Sequence, residues 1–213
     1  MNNLELLSVE ANISHWQNTK GYKSGAAIGA LVLTCAGAAW AIAALANRSG
    51  SPPWAFAAVA LPVLALITAG VSRLIAIARD SHRGPIDPEA NDRARQGRNM
   101  GVHFGLVFTV EIVLIALTAI LLARIGRPLL IPVAIVAIVG AHFLPLARLF
   151  RIPTYGVAGL LLVGASLGSL LIADEALRLF ALGLLVAVVL WASAAMVLVR
   201  HTGWSSTSDA VAP

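Results

Sequence analysis

Met100-Gly-Val-His103-Phe-Gly-Leu-Val-Phe-Thr-Val-Glu111-Ile-Val-Leu-Ile-Ala-Leu-Thr-Ala-Ile-Leu-Leu-Ala123 is the stretch that decides the fold. At about 1.5 Å per helical residue it is long enough to cross a hydrocarbon layer roughly 30 Å thick. One carboxylate, Glu111, stands in its middle. No other charged residue lies so deep in an apolar segment of this chain. A charge at a bilayer centre costs about 2.5–3.5 kcal/mol on insertion scales, so such residues are rare and tend to have a function.

Working outward, five more stretches are long and apolar enough to span: 24–46, 54–78, 128–147, 154–173 and 179–199. The expected fold is therefore all-α, a six-helix transmembrane bundle over residues 24–199. Composition agrees. The chain has 213 residues, 59% hydrophobic and 12% charged, against roughly 25% charged in a soluble domain. Too little polar surface exists to cover a water-soluble globule of this size. The bilayer is the first partner expected. The net charge of +5 does not call for nucleic acid, because the basic residues lie between the apolar stretches, where topology accounts for them.

Connections are short except residues 79–99, a polar loop with both charge signs. Within it Asp87-Pro88-Glu89 reads as an N-cap, first helical position and first-turn acid, so the third helix is expected to start there. With the N-terminus inside, the cytoplasmic segments carry Lys20, Lys23, Arg73, Arg79, Arg83, Arg93, Arg95, Arg98, Arg148, Arg151 and Arg200. The outer segments carry Arg48, Arg124, Arg127 and Arg178. That imbalance predicts both termini in the cytoplasm. In residues 1–23, Leu6, Val9, Ile13 and Trp16 share one helical face opposite Glu5, Ser8, Asn12 and His15. A short amphipathic helix is expected there, at the membrane interface or against the inner ends of the bundle. Residues 200–213 read as a cytoplasmic, disordered tail. No cleavable signal segment and no internal repeat are evident.

Glu111 has a candidate partner. The third and fourth spans are joined by a four-residue turn, 124–127, so they should be antiparallel neighbours. Counting from their cytoplasmic ends, Glu111 lies roughly 16 Å deep and His142 roughly 12 Å. A carboxyl and an imidazole at similar depth on adjacent helices can pair and titrate near neutral pH. Two readings are open: a proton- or cation-binding site, or a protonated carboxyl that only ties helices together. His103, at the cytoplasmic mouth of the same span, is a third candidate, as a relay from Glu111. Pro145 frees the Ala141 carbonyl beside His142, and with Arg148 it makes a candidate inward-facing pocket. A kinked helix end with positive-inside arginines is the plainer account of the same residues.

Gly164-Ala-Ser166-Leu-Gly168 matches a nucleophile-elbow pattern, but inside an apolar helix and not at a strand-to-helix turn. Six spans and this string are similar to the rhomboid intramembrane proteases. Those have a histidine on the sixth helix and a glycine after the serine. Residues 179–199 hold no histidine, and Leu167 follows Ser166, so a protease is rejected and no catalytic residue is assigned. Gly164 and Gly168, like Gly25 and Gly29, form GxxxG faces that suit close helix packing within the bundle or in a homo-oligomer. The single cysteine, Cys35, excludes an intrachain disulfide. No P-loop, dinucleotide-binding glycine pattern, HExxH or CxxC is found, so neither a cofactor nor a metal is expected.

The Lys20-Gly before the first span, the polar N-terminal segment and Gly140-Ala-His-Phe-Leu-Pro145 together resemble a family of small bacterial inner-membrane proteins of about this size. The resemblance rests mainly on residues 140–155. It implies a bacterial inner-membrane location and about six helices, and it carries no activity. The functional expectation is then a non-enzymatic permeation protein for a small solute or ion, proton-linked through Glu111 and His142. The alternative is a membrane scaffold or accessory subunit that packs through its GxxxG faces.

Overall fold

The computed structural model describes residues 20–48, 50–81, 90–150 and 152–201, with side chains over 24–48, 50–79, 105–148 and 152–199. Among the described residues six α-helices follow one another: α1 (Lys20–Ala46), α2 (Pro53–Ser81), α3 (Ala90–Arg124), α4 (Ile131–Phe150), α5 (Pro153–Ser169) and α6 (Glu175–His201). A single 3-10 turn, Pro128–Leu130, precedes α4. No strand occurs among the described residues. Five segments are long and apolar enough to cross a membrane: Ser24–Ala46, Pro53–Arg79, Gly105–Arg124, Pro128–Arg148 and Glu175–Val199. The fold is compatible with an integral membrane protein. The expected amphipathic segment, the Asp87-Pro88-Glu89 cap and the tail beyond His201 lie outside the described residues.

The remaining helix, α5, differs from expectation. It has 17 residues, about 25 Å at 1.5 Å each, and it stops at Ser169 instead of 173. Ser169 Oγ donates to the Ser166 carbonyl at 2.7 Å. The Leu170, Leu171 and Ile172 amides then bond three residues back, to Leu167, Gly168 and Ser169. The chain tightens into successive turns although those residues are apolar. α6 starts at Glu175, earlier than the expected 179. Asp174 is its cap: Oδ1 accepts from the Leu177 amide at 2.6 Å, and the Asp174 carbonyl accepts from the Arg178 amide at 2.9 Å.

The turn between α3 and α4 is dictated by Gly126. Its φ is +74°, a left-handed conformation that costs glycine little. The Gly126 amide donates to the Ala123 carbonyl at 3.2 Å and the Arg127 amide to the Leu122 carbonyl at 2.8 Å, which closes a Schellman cap. Pro128 follows at the start of the 3-10 turn.

Helices α1, α4, α5 and α6 hold the core. Leu162, Leu182, Val136, Val186 and Val197 are its largest fully buried apolar side chains. In lipid, helices gain little from apolar burial and associate through close packing and polar ties. Both are present. Trp191 Nε1 donates to the Thr34 carbonyl at 3.2 Å, joining α6 to α1. Ser166 Oγ donates to the Val133 carbonyl at 2.8 Å, joining α5 to α4. At the α4–α5 crossing, a Cβ built on Gly159 would sit 2.5 Å from the Gly140 carbonyl oxygen, and one on Gly140 2.9 Å from that of Gly159. The two backbones touch. α2 packs on α1 and, less, on α6. α3 packs on α4 and the Pro128–Leu130 turn.

Candidate functional site

On α3 one stripe faces α4: Val107, Glu111, Ile115, Thr118, Ala119 and Leu122 are buried or half-buried, at steps of three and four residues. The flanking residues, Leu106, Phe108, Val110, Ile112, Val113 and Leu114, are exposed at the helix surface. Glu111 thus occupies a contact position where an aliphatic side chain would be ordinary. It is the single buried residue among the described α3 side chains.

His142 on α4 meets it. His142 Nδ1 lies 3.3 Å from Glu111 Oε2, and the two side chains are only 9% and 10% exposed. One proton between them suits both groups. An imidazole N–H can donate to a carboxylate, or a carboxyl O–H can donate to the imidazole nitrogen. A second proton leaves a charged imidazolium beside a neutral carboxyl. The pair is therefore a proton acceptor with two accessible states at a nearly dry position.

The imidazole is held from behind. Phe143 stands edge-on to His142, with centroids 6.2 Å apart and planes at 87°. Phe143 in turn packs on Tyr155 of α5 at 5.7 Å. Phe143 and Tyr155 are both buried. The Gly140–Gly159 approach lies two residues before His142, so a crossing at backbone contact fixes the segment that carries the imidazole. The sequence reading quotes these residues within the 140–155 string but gives them no supporting role. An available signal was the small residue Gly140 and the aromatic Phe143 flanking His142.

The other candidates fall elsewhere. His103 lies on α3, but its side chain is outside the described residues. Pro145 is accommodated inside α4, which continues to Phe150. Arg148 is exposed in the last turn of α4 and does not join the pair. Of the GxxxG glycines, Gly29 faces the Tyr155 hydroxyl, 3.1 Å from where its Cβ would be, whereas Gly25, Gly164 and Gly168 meet nothing within 4 Å. Besides Gly29, the described glycines closest to another helix are Gly140 against Gly159, Gly37 against Trp191, Gly70 against Leu31 and Gly183 against Ala44. Ser166 is buried and spends its hydroxyl on the Val133 carbonyl. Ser166→Ala should lower stability by about 0.6 kcal/mol, the average for an interhelical hydrogen bond in a membrane, and leave function unchanged. A thermal melt in detergent with a parallel functional assay checks this. Among the described residues no cluster of three or more His, Cys, Asp or Glu side chains could hold a metal.

Compared with known protein families, curated proteins and solved structures, the chain has no significant match.

Proposed function

We propose that this protein is a small proton-linked permeation protein, with Glu111 and His142 as its proton-binding pair. The carrying observation is the 3.3 Å approach of the two side chains between α3 and α4. A polar pair in an apolar interface is costly to keep, and carboxyl–histidine pairs inside membranes mark proton routes. Among the described residues the facing groups are few. α4 offers His142 and, further along, Arg148, and the turn offers Arg127 at the opposite end. The Lys and Arg distribution supports both termini in the cytoplasm, and the resemblance of residues 140–155 implies a bacterial inner membrane. Six crossings satisfy that topology, the fifth made by α5 and the turns after it.

The test is flux into proteoliposomes. A panel of small cations, anions and neutral solutes is offered under an imposed pH gradient, with a trapped pH dye following proton movement. Solute entry linked to proton movement is expected, and Glu111→Gln should abolish it. A folded Glu111→Gln protein that carries solute and protons normally would overturn the reading, as would the absence of any flux.

A second reading, self-association as a scaffold, is favoured by α5. Gly164 and Gly168 open onto its outer face between exposed Leu161 and Leu171, a small-residue groove of the kind that seats another helix. Gly164→Leu should convert an oligomer to a monomer while leaving the fold intact, because the added side chain meets nothing within the chain. Light scattering in detergent reads this. Equal masses for both proteins exclude a Gly164 interface.

A further inference from the structure

We propose that Arg178, at the start of α6, is a binding site for an oxyanion, the carboxylate or phosphate group of a small solute or a lipid headgroup, held side-on by the Nε–Nη2 edge of the guanidinium. Binding there does not depend on what Glu111 and His142 do.

Glu175 and Arg178 share the first turn of α6. Arg178 also begins the row that α6 turns toward the core. Arg178, Leu182, Val186 and Val189 are all buried, at steps of three and four residues, and the last three belong to the main apolar cluster. A guanidinium here has been taken out of water. Arginine does not escape by losing its proton, so the charge stays and needs acceptors. Arg178 is only partly met. Its Nη2 lies 3.6 Å from Glu175 Oε1, beyond the roughly 2.7–2.9 Å of a charge-assisted hydrogen bond. Its Nε is buried and donates to nothing, the one such side-chain nitrogen or oxygen among the described residues. A buried donor of this kind is uncommon in a folded protein and calls for a partner.

The shape of that edge names the ligand. The Nε–H and one Nη2–H of a guanidinium point the same way, and a carboxylate or phosphate meets both with two oxygens. Chloride, a single sphere, offers no such fork. Glu175 is a tethered member of the same ligand class. Its side chain is 57% exposed against 10% for Arg178, so it can turn into water and yield the edge at little cost. The other charged groups near this end of α6 are spent. Asp174 Oδ1 accepts from the Leu177 amide. The Arg48 guanidinium lies over the Phe180 ring, 4.6 Å from its centroid. Residues 178 and 180 are about 200° apart around the helix, so that second cation serves the other side of α6. The helix start adds a partial positive charge that favours an anion.

Melting of the purified protein in dodecyl maltoside, a detergent with neither phosphate nor carboxylate, tests the site. Sodium acetate, inorganic phosphate and dihexanoylphosphatidylcholine are titrated separately, with sodium chloride at matched ionic strength as the reference. At least one of the three should raise the midpoint saturably where chloride does not. A response to acetate or inorganic phosphate identifies a free solute, and a response to the phospholipid alone identifies a headgroup phosphate. Arg178→Lys keeps the charge, loses the fork and should abolish the response. Glu175→Gln removes the tethered competitor and should lower the half-saturating concentration about two- to fivefold, the worth of an exposed ion pair. Arg48→Gln and Glu111→Gln should leave the response as it is, which keeps loss of binding distinct from loss of flux. The site is refuted if no probe acts beyond chloride, if Arg178→Lys responds like the unsubstituted protein, or if Arg48→Gln abolishes the response. Should Arg178→Lys fail to fold, Glu175→Gln decides, because its side chain is exposed: an unchanged half-saturating concentration overturns the proposal.

Discussion

Gly159→Leu is expected to destabilise the bundle severely. The Cβ alone would lie 2.5 Å from the Gly140 carbonyl oxygen and 3.0 Å from Phe143 Cβ. The obstruction is backbone, which cannot rotate aside as a flexible side-chain tip can. α4 and α5 would have to separate along their whole crossing, which would also break the Ser166 bond to the Val133 carbonyl. Inserting bulk into a packed core costs about 1–3 kcal/mol and sometimes more. Here the upper end applies, against a typical total stability of about 5–15 kcal/mol. Gel filtration and a melt in mild detergent should show aggregation or a sharply lowered midpoint. Gly164→Leu is the internal control. It places the same side chain five residues further along α5, at a position with open space, and should fold normally. If both variants melt alike, the α4–α5 contact is not where it has been described.

The second large effect concerns the pair. His142→Leu strands a buried carboxyl in an apolar interface. Removing one partner of a buried ion pair costs about 3–5 kcal/mol. Replacing both partners by apolar groups is often neutral or stabilising by about 1–4 kcal/mol. The double variant Glu111→Leu/His142→Leu should therefore recover the stability lost in the single one. Function separates the two meanings of the pair. If it serves only as glue between helices, the double variant keeps its flux. If it handles protons, the double variant is stable and inactive. We expect the second outcome, read by unfolding in detergent alongside flux in proteoliposomes.

Hydropathy made most of the helices legible, because spanning segments must satisfy their own backbone and stay apolar for about 20 residues. Counting depth across the 124–127 turn put Glu111 and His142 at one level, and the structure brings them to 3.3 Å. Apolarity does not say where a helix ends. Leu170, Leu171 and Ile172 are as apolar as any spanning residue, yet they form turns held by bonds three residues back. Nor does it give the rotation of a helix about its axis. The GxxxG pattern at Gly164 and Gly168 resembles a packing face, but these positions turn outward. The unpatterned Gly140 and Gly159, far apart in sequence, supply the contact. Which glycines meet depends on the crossing of two helices, and that is set by the whole bundle. The bracing of His142 by Phe143 and Tyr155 was hidden for the same reason.

The central claim is that Glu111 and His142 exchange a proton inside the membrane. Infrared difference spectroscopy of the reconstituted protein, stepped between about pH 5 and about pH 8, the window over which histidine-linked groups change charge, reads it at the carboxyl C=O stretch. The account predicts a carboxyl band whose intensity changes across that range, is lost in Glu111→Gln, and is shifted in His142→Gln. A Glu111 band that is constant at every pH, or that His142→Gln leaves untouched, would contradict it and leave the pair as a fixed interhelical tie.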